Sequence, residues 1–280
     1  MQERIPRISV IIPVYCHTQD HKQFLEKALK SVAEQTYRDF EVIIVDDVSP
    51  IDIAPIIDAV EGLPDTLVLR NVINMGHAES RNAGIRAAKA DIVAFLDHDD
   101  LWLPEKLEKQ IAVLEANQDA GMVFCDMEIC GTSENWLNID QSIIPERPDF
   151  YWFVSHVINY TISASAVVAK KQALIDIGLF DSRYTTYDDF DAWLKILLTS
   201  PIVHIPEKLA KYRLHAHNLN YTIDRLNDNI LLTKLILQYW RSAPIIIKLK
   251  LLPRLARKFI GRLYFSIRQL RKPTRDISAT

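Results

Sequence analysis

Apolar residues follow two rhythms along this chain. Residues 8–15, 41–46, 66–70, 92–96 and 121–125 are short, almost continuous apolar runs rich in Val and Ile. Such runs suit strands of a parallel sheet that is covered on both faces. Between them the spacing is helical. Phe24, Leu25, Ala28, Leu29, Val32 and Ala33 recur on one face, as do Leu107, Ile111 and Leu114. The second group follows Pro104, a residue suited to a first helical turn. The predicted order through about residue 127 is β-α-β-α-β-α-β-α-β. Right-handed crossovers turn that order into a doubly wound α/β sheet with helices on both faces. In such sheets ligands bind at the carboxyl ends of the strands. From 128 to 220 the pattern is mixed: 161–170 and 202–205 predict strands, 172–177 and 190–198 predict helices. Beyond 221 it is helical and apolar, then basic.

Composition adds limits. Of 280 residues, 49% are hydrophobic, enough to bury a large core. The expected division is a catalytic α/β domain over 1–220 and a helical, basic extension over 221–280. A net charge of -3 gives no reason to expect a nucleic-acid partner. Three cysteines, Cys16, Cys125 and Cys130, form neither a disulfide framework nor a zinc-ligand spacing. No run of about 18 uncharged apolar residues predicts a membrane span. Residues 1–7 are polar and do not read as a signal peptide. A cytoplasmic protein is expected.

Chemistry concentrates where apolar runs stop. The run 92–96 ends in Asp97, His98, Asp99 and Asp100. Clustered carboxylates repel one another. A Mg²⁺ or Mn²⁺ ion would relieve that and bridge them to substrate phosphates. The plainer alternative is a solvated turn at a helix start, and Asp100 fits it well. The run 41–46 ends in Asp46 and Asp47, able to accept from a base or ribose, or to cap the next helix. Residues 74–84 combine Gly76 and Gly84 with Arg81, a fork of donors for phosphate or the start of a structural helix. Asp188, Asp189 and Asp191 open an amphipathic segment, as helix caps or as a general base. His215 and His217 offer imidazoles to a metal, or are ordinary polar groups.

Taken in order, these blocks resemble the family-2 glycosyltransferases of the GT-A fold, over about residues 6–218. The resemblance rests on Ser9–Tyr15, Ser31–Tyr37 with Glu41–Asp47, Asn74–Gly76 with Ser80–Ile85, Phe95–Pro104, and Gly178–Asp181 with Asp188–Asp191. It implies a mixed, mostly parallel GT-A sheet and an inverting transfer from a nucleotide-sugar donor. It implies that Pro13, Tyr15, Asp47, Arg81 and Asp97 bind the nucleotide. Asp97, Asp99 and His215 would hold Mg²⁺ or Mn²⁺, with Asp99 the more direct ligand. Asp189 would be the base, with Asp188 beside it in the fallback role. The acceptor would be a glycan or a lipid-linked sugar of the cell envelope.

The chain also departs from the family. Cys16 stands where Asn is usual, Val48 where Gly is usual with Pro50 added, Ala90 replaces a common Gly, and Asp188 replaces Glu. The Gln-x-x-Arg-Trp signature of processive synthases is missing, which favours single additions. Two alternatives stand beside this reading. A nucleotidyltransferase would need a glycine-rich basic loop after the first strand, and residues 15–20 contain no Gly, Lys or Arg. A degenerate transferase acting as a scaffold has no call for the retained acids. Between Arg241 and Arg275 lie eleven Lys or Arg and no acid, interleaved with apolar residues. That pattern suits a helix lying on an anionic membrane surface, with peripheral attachment at the inner face of the cell membrane, or a helix whose apolar face packs on the catalytic domain while its cations face water.

Overall fold

The computed structural model describes residues 4–131, 144–150, 152–153, 162–184, 186–216, 218 and 238. The chain divides into two compact units, Met1–Leu232 and Thr233–Thr280. Apart from residue 238, the basic extension expected from 221 onward lies outside the described residues, as does His217. Among the described residues no helix is long and apolar enough to cross a membrane.

The first unit is built on eight strands: β1 (Ile8–Val14), β2 (Phe40–Asp46), β3 (Thr66–Arg70), β4 (Ile92–Phe95), β5 (Leu101–Trp102), β6 (Met122–Gly131), β7 (Val167–Lys170) and β8 (Ile202–Leu214). Its helices are α1 (Gln19–Ala33), α2 (Ala54–Asp58), α3 (Gly76–Ala87), α4 (Lys106–Ala116), α5 (Lys171–Asp176) and α6 (Asp188–Leu197). The strands form one sheet in the order β3-β2-β1-β4-β7-β6-β8-β5. Four neighbouring pairs are parallel; β7 and β5 run against the rest. The expected mixed, mostly parallel sheet is therefore present.

Period-2 alternation sorts the core. Ile8, Val10, Ile12 and Val14 of β1 join Val42 and Ile44 of β2 against Leu25, Ala28, Leu29 and Val32 of α1, while Leu107, Ile111 and Leu114 of α4 extend the same cluster. On the opposite face Phe95 meets Phe180 and Trp193 at ring centroid distances of 5.4 and 6.5 Å. Both faces of the central strands are covered, as continuous apolar runs require.

Three differences from the sequence reading have physical causes. β3 is an edge strand, so Leu67 and Val68 are exposed rather than buried. β6 and β8 extend beyond their predicted ends because they pair with each other through Gly131 and Leu214, across a bulge near Asp126. Ala164–Ala166 are a turn of 3-10 helix, not strand, and β7 begins at Val167. The two-residue β5 was not predicted at all; it is held by β8.

The small residues of α3 serve packing. A methyl group added at Gly84 would stand 2.4 Å from Ile11 Cγ2 and 3.2 Å from Ile11 Cγ1. Ile11 is a fully buried β-branched residue of the central strand and has no room to yield. Elsewhere in a helix Gly→Ala stabilises by about 1 kcal/mol. Here overpacking, typically about 1–3 kcal/mol, outweighs it. Gly84→Ala is expected to lower stability by about 1–2 kcal/mol, read as a lower urea midpoint at unchanged slope. An unchanged or higher midpoint would refute the close contact.

Candidate active site

The site begins where the sheet parts. β1 pairs with β4 only from Ile8 to Ile11, and the last bond runs from Leu96 N to Ile11 O at 3.1 Å. Backbone groups of alternate residues face alternate neighbours, so Pro13 faces the β4 side, beyond that last bond. Its missing N–H leaves nothing unpaired there. Val14 faces β2 and accepts from Asp47 N at 2.8 Å. β1 and β4 part here, at the point where the strand order reverses. That is the ligand position of doubly wound sheets. Tyr15, 39% exposed, follows directly on the end of β1, its ring beside that of His17.

The two acids that end β2 take different partners. Asp46 pairs with Arg70 and accepts from Ser49 N, which fixes the turn after the strand. Asp47 accepts from Asn71 Nδ2 at 2.7 Å, Met75 N at 2.8 Å and Gly76 N at 2.8 Å. It thereby closes the start of α3. Three of about four acceptor positions on a carboxylate are in use. Between Asp47 and Ser49, Val48 sits at φ 63°, the left-handed region that a β-branched residue rarely adopts.

α3 carries two donors on one face. His77 and Arg81 are four residues apart, one helical turn. Arg81, 4% exposed, donates from Nη1 to Asp188 Oδ2 at 2.8 Å and from Nη2 to Asp97 Oδ1 at 2.6 Å. Burial opposes its charge, but Asp97 and then Asp188 outweigh burial and hold it protonated. His77 Nε2 lies 2.9 Å from Asp188 Oδ1. Arg81 and His77 together hold the Asp188 carboxyl below its usual range, against the opposing effect of burial.

The three acids after β4 have three fates. Asp97 is paired with Arg81, and its backbone N–H donates to Ser165 Oγ at 3.0 Å. Asp99 Oδ2 lies 2.9 Å from His215 Nε2. Burial works against ionisation of Asp99, but the His215 bond and the nearby imidazoles lower its carboxyl to about 2. Asp100 is not a solvated turn residue. It is 1% exposed and accepts from Arg213 N at 3.0 Å. Burial, then the charges of Asp99 and Asp97, push its carboxyl far above the usual range. Arg213 also donates from Nε to Asp99 O at 2.8 Å, so the end of β8 ties down the whole loop.

At the start of α6, Asp189 stands beside Asp188. Burial, then the negative charge of Asp188, raises the Asp189 carboxyl to about 7. A carboxyl titrating near neutral pH is suited to proton transfer. Thus Pro13, Tyr15, Asp47, Arg81, Asp97, Asp99, Asp188, Asp189 and His215 all belong to the carboxyl edge of one sheet. Among the described residues, no three His, Cys, Asp or Glu side chains converge as a metal cage. The sequence reading missed His77, Arg213, Ser165 and His21. The ring of His21 lies 5.8 Å from that of His215 and 5.3 Å from that of His98. Burial, then His98, brings His21 down to about 4, so it packs there as a neutral ring. For His77 a signal existed, namely its helical spacing to Arg81.

The glycosyl transferase family 2 model matches residues 9–166. The chain belongs to glycosyltransferase family 2. Among its relatives in that family, an uncharacterised glycosyltransferase of Rickettsia typhi is 31% identical over 232 residues, 80% of this chain and 69% of the relative. Another, from Haemophilus influenzae, is 32% identical over 190 residues, 68% of this chain and 62% of its own length. The fold is similar to S. aureus TarS 1–349 in complex with UDP, with TM-score 0.65 and 20% identity over 82% of this chain and 64% of that one. It is also similar to the mannosyltransferase PcManGT of Pyrobaculum calidifontis in complex with GDP-Man and Mn²⁺, with TM-score 0.58 and 21% identity over 77% of this chain and 59% of that one. The chain therefore spans less than two thirds of several of these proteins.

The Asp189 environment has a consequence for stability. Its folded carboxyl is raised, so between about pH 4 and 7 the folded state binds a proton that the unfolded state has lost. Stability from this group is complete below about pH 4 and is lost as pH rises through 7. Asp189→Asn, which mimics the neutral form, is expected to match the wild type near pH 4 and to exceed it progressively up to pH 7. Urea unfolding at several pH values reads the gap; a gap that does not change with pH contradicts the raised carboxyl.

Proposed function

We propose that this chain moves a sugar from a nucleoside diphosphate donor to an acceptor hydroxyl, with Asp189 as the general base. The observation that carries the reading is the placement of Asp189. Its carboxyl, held near 7, stands beside the Arg81–Asp97 pair at the parted end of the sheet. Asp189 takes the hydroxyl proton as the acceptor oxygen attacks the anomeric carbon. The bond to the diphosphate breaks, and its electron pair leaves with the phosphate. One displacement of this kind inverts the anomeric centre. Arg81 offers charge to the leaving diphosphate, while Pro13, Tyr15 and the Asp47-held loop border the nucleotide. Solved structures of the same fold hold UDP or GDP-Man, which supports a nucleoside diphosphate donor. The acceptor class in this reading is a glycan or a lipid-linked sugar, reached by single additions.

The side chains present also suit a divalent ion. Mg²⁺ and Mn²⁺ commonly take only one or two protein ligands and complete their shell with substrate phosphates and water. Asp99 is ionised and adjoins His215, so the two would hold the ion. Asp97 would serve the donor from its tie to Arg81. Once bound, such an ion supplies Lewis-acid neutralisation of the diphosphate charge.

A thermal-shift panel of UDP-, GDP- and dTDP-sugars, with and without Mn²⁺, tests the donor class. One class is expected to raise the melting temperature, since ligand binding to the native state stabilises it by mass action. With that donor, Asp189→Asn is expected to keep the shift and to lose turnover by about 10²- to 10⁴-fold. Unimpaired turnover would remove Asp189 from the role. Asp99→Ala is expected to lose the Mn²⁺-dependent part of the shift; full turnover of that variant in excess EDTA would refute the metal assignment.

A further inference from the structure

Asp188 and Asp189 are adjacent, yet their surroundings differ. Asp188 has a side chain only 3% exposed, with each oxygen met by a different donor from α3. His77 meets Oδ1 and Arg81 meets Oδ2. A carboxylate gripped on both oxygens is poorly placed to accept a substrate proton. Asp189 uses Oδ1 to accept from Phe190 N at 2.7 Å, so its contacts are of another kind.

The grip is built from the fold. Asp47 fixes the first turn of α3 through Met75 N and Gly76 N. His77 lies in that turn and Arg81 one turn on. A second tie joins the same helix to the approach of α6: Asn82 Nδ2 donates to Phe180 O, and Phe180 N to Asn82 Oδ1, both at 2.9 Å. α3 is thus a fixed rail against which the first turn of α6 is set. Arg81 is shared with Asp97, whereas among the described residues His77 pairs with Asp188. The His77 side chain is 31% exposed and lies against Oδ1 of Asp188.

We propose that His77 is a positioning residue for the transfer step: it holds Asp188 so that a fixed charge stands beside Asp189, and Asp188 is not a second base. This rests on the reading of Asp189 as the base. Facing Asp189 are Asp188 on its own helix and Arg81 and His77 on α3, with Asp97 beyond Arg81. The negative charge of Asp188 raises the Asp189 carboxyl, while Arg81 and His77 lower it. Removing His77 leaves the negative neighbour in place and takes away a partner that, when protonated, lowers the Asp189 carboxyl.

The test uses the full chain with ¹³C-labelled Asp carboxyls, titrated by NMR, the Asp189 signal being the one lost in Asp189→Asn. His77→Ala is expected to move the Asp189 midpoint upward, and Asp188→Asn to bring it down toward the ordinary carboxylate range. With the donor found in the panel, His77→Ala is expected to lower kcat by about 10- to 100-fold, the range that follows small misplacements. The donor KM is expected to hold. His77→Gln, which keeps a donor to Asp188 without the ring, is expected to recover most of kcat, and it remains readable if the Ala variant fails to fold. An unmoved Asp189 midpoint with unchanged kcat overturns the proposal. A KM defect at intact kcat also overturns it, because it makes His77 a donor contact. If no donor supports transfer, the reading of Asp189 falls, yet the titrations still show whether His77 sets the Asp188–Asp189 pair.

Discussion

The charge on Arg81 is the interaction on which the site depends. Five carboxyls, from Asp97, Asp99, Asp100, Asp188 and Asp189, stand near one another at one edge of a sheet. Left alone they would force the end of β4 and the start of α6 apart. A single buried guanidinium bridges the two, one amino group to each side. Arginine suits this because its planar fork reaches two partners at once, whereas a lysine offers one point of charge. The bridge is better understood as specification than as stability. Desolvation offsets most of what a buried ion pair gains, but deleting one partner leaves the others uncompensated, commonly at about 3–5 kcal/mol. The other acids resolve their repulsion differently. Asp99 pairs with an imidazole, while Asp100 and Asp189 are raised toward the neutral form.

That bridge is only as well placed as α3. Close contact of Gly84 with Ile11 presses the helix onto the central strand. Asp47 seals its first turn, and Asn82 clasps the turn before α6. Packing and the geometry of the candidate site are therefore not separable along this helix. One face meets the sheet, the next presents His77 and Arg81, and both depend on the same few ångströms.

Much of this was legible from residue order. Continuous apolar runs identify β1, β2, β4 and the first half of β6, and the acids that end them mark the edge of the sheet that matters. What was hidden depends on partners far along the chain. Asp100 reads as a turn residue until Arg213, 113 positions later, covers it. His77 shows its spacing to Arg81 locally, but its meaning comes from Asp188, 111 positions away. β5 and the outer halves of β6 and β8 have little periodic signature because they exist by pairing with β8 or with each other. Val48 is the reverse case. Its oddity beside Asp47 is visible in the sequence, and the structure supplies the reason, a left-handed backbone normally left to glycine.

The place of β7 bears on how the chain leaves the ribosome. β1 through β4 are made in succession and complete one another as soon as residue 95 emerges. β6 cannot join them at that stage. Its two neighbours are β7 and β8, both synthesised later, so a long apolar strand waits without a native partner until residue 167 and beyond appear. When β7 arrives it covers the open edge of β4 and one edge of β6 at once. The sheet is therefore completed from the β3–β4 half toward its other edge, and the half that carries Arg213 and His215 is the last to be secured.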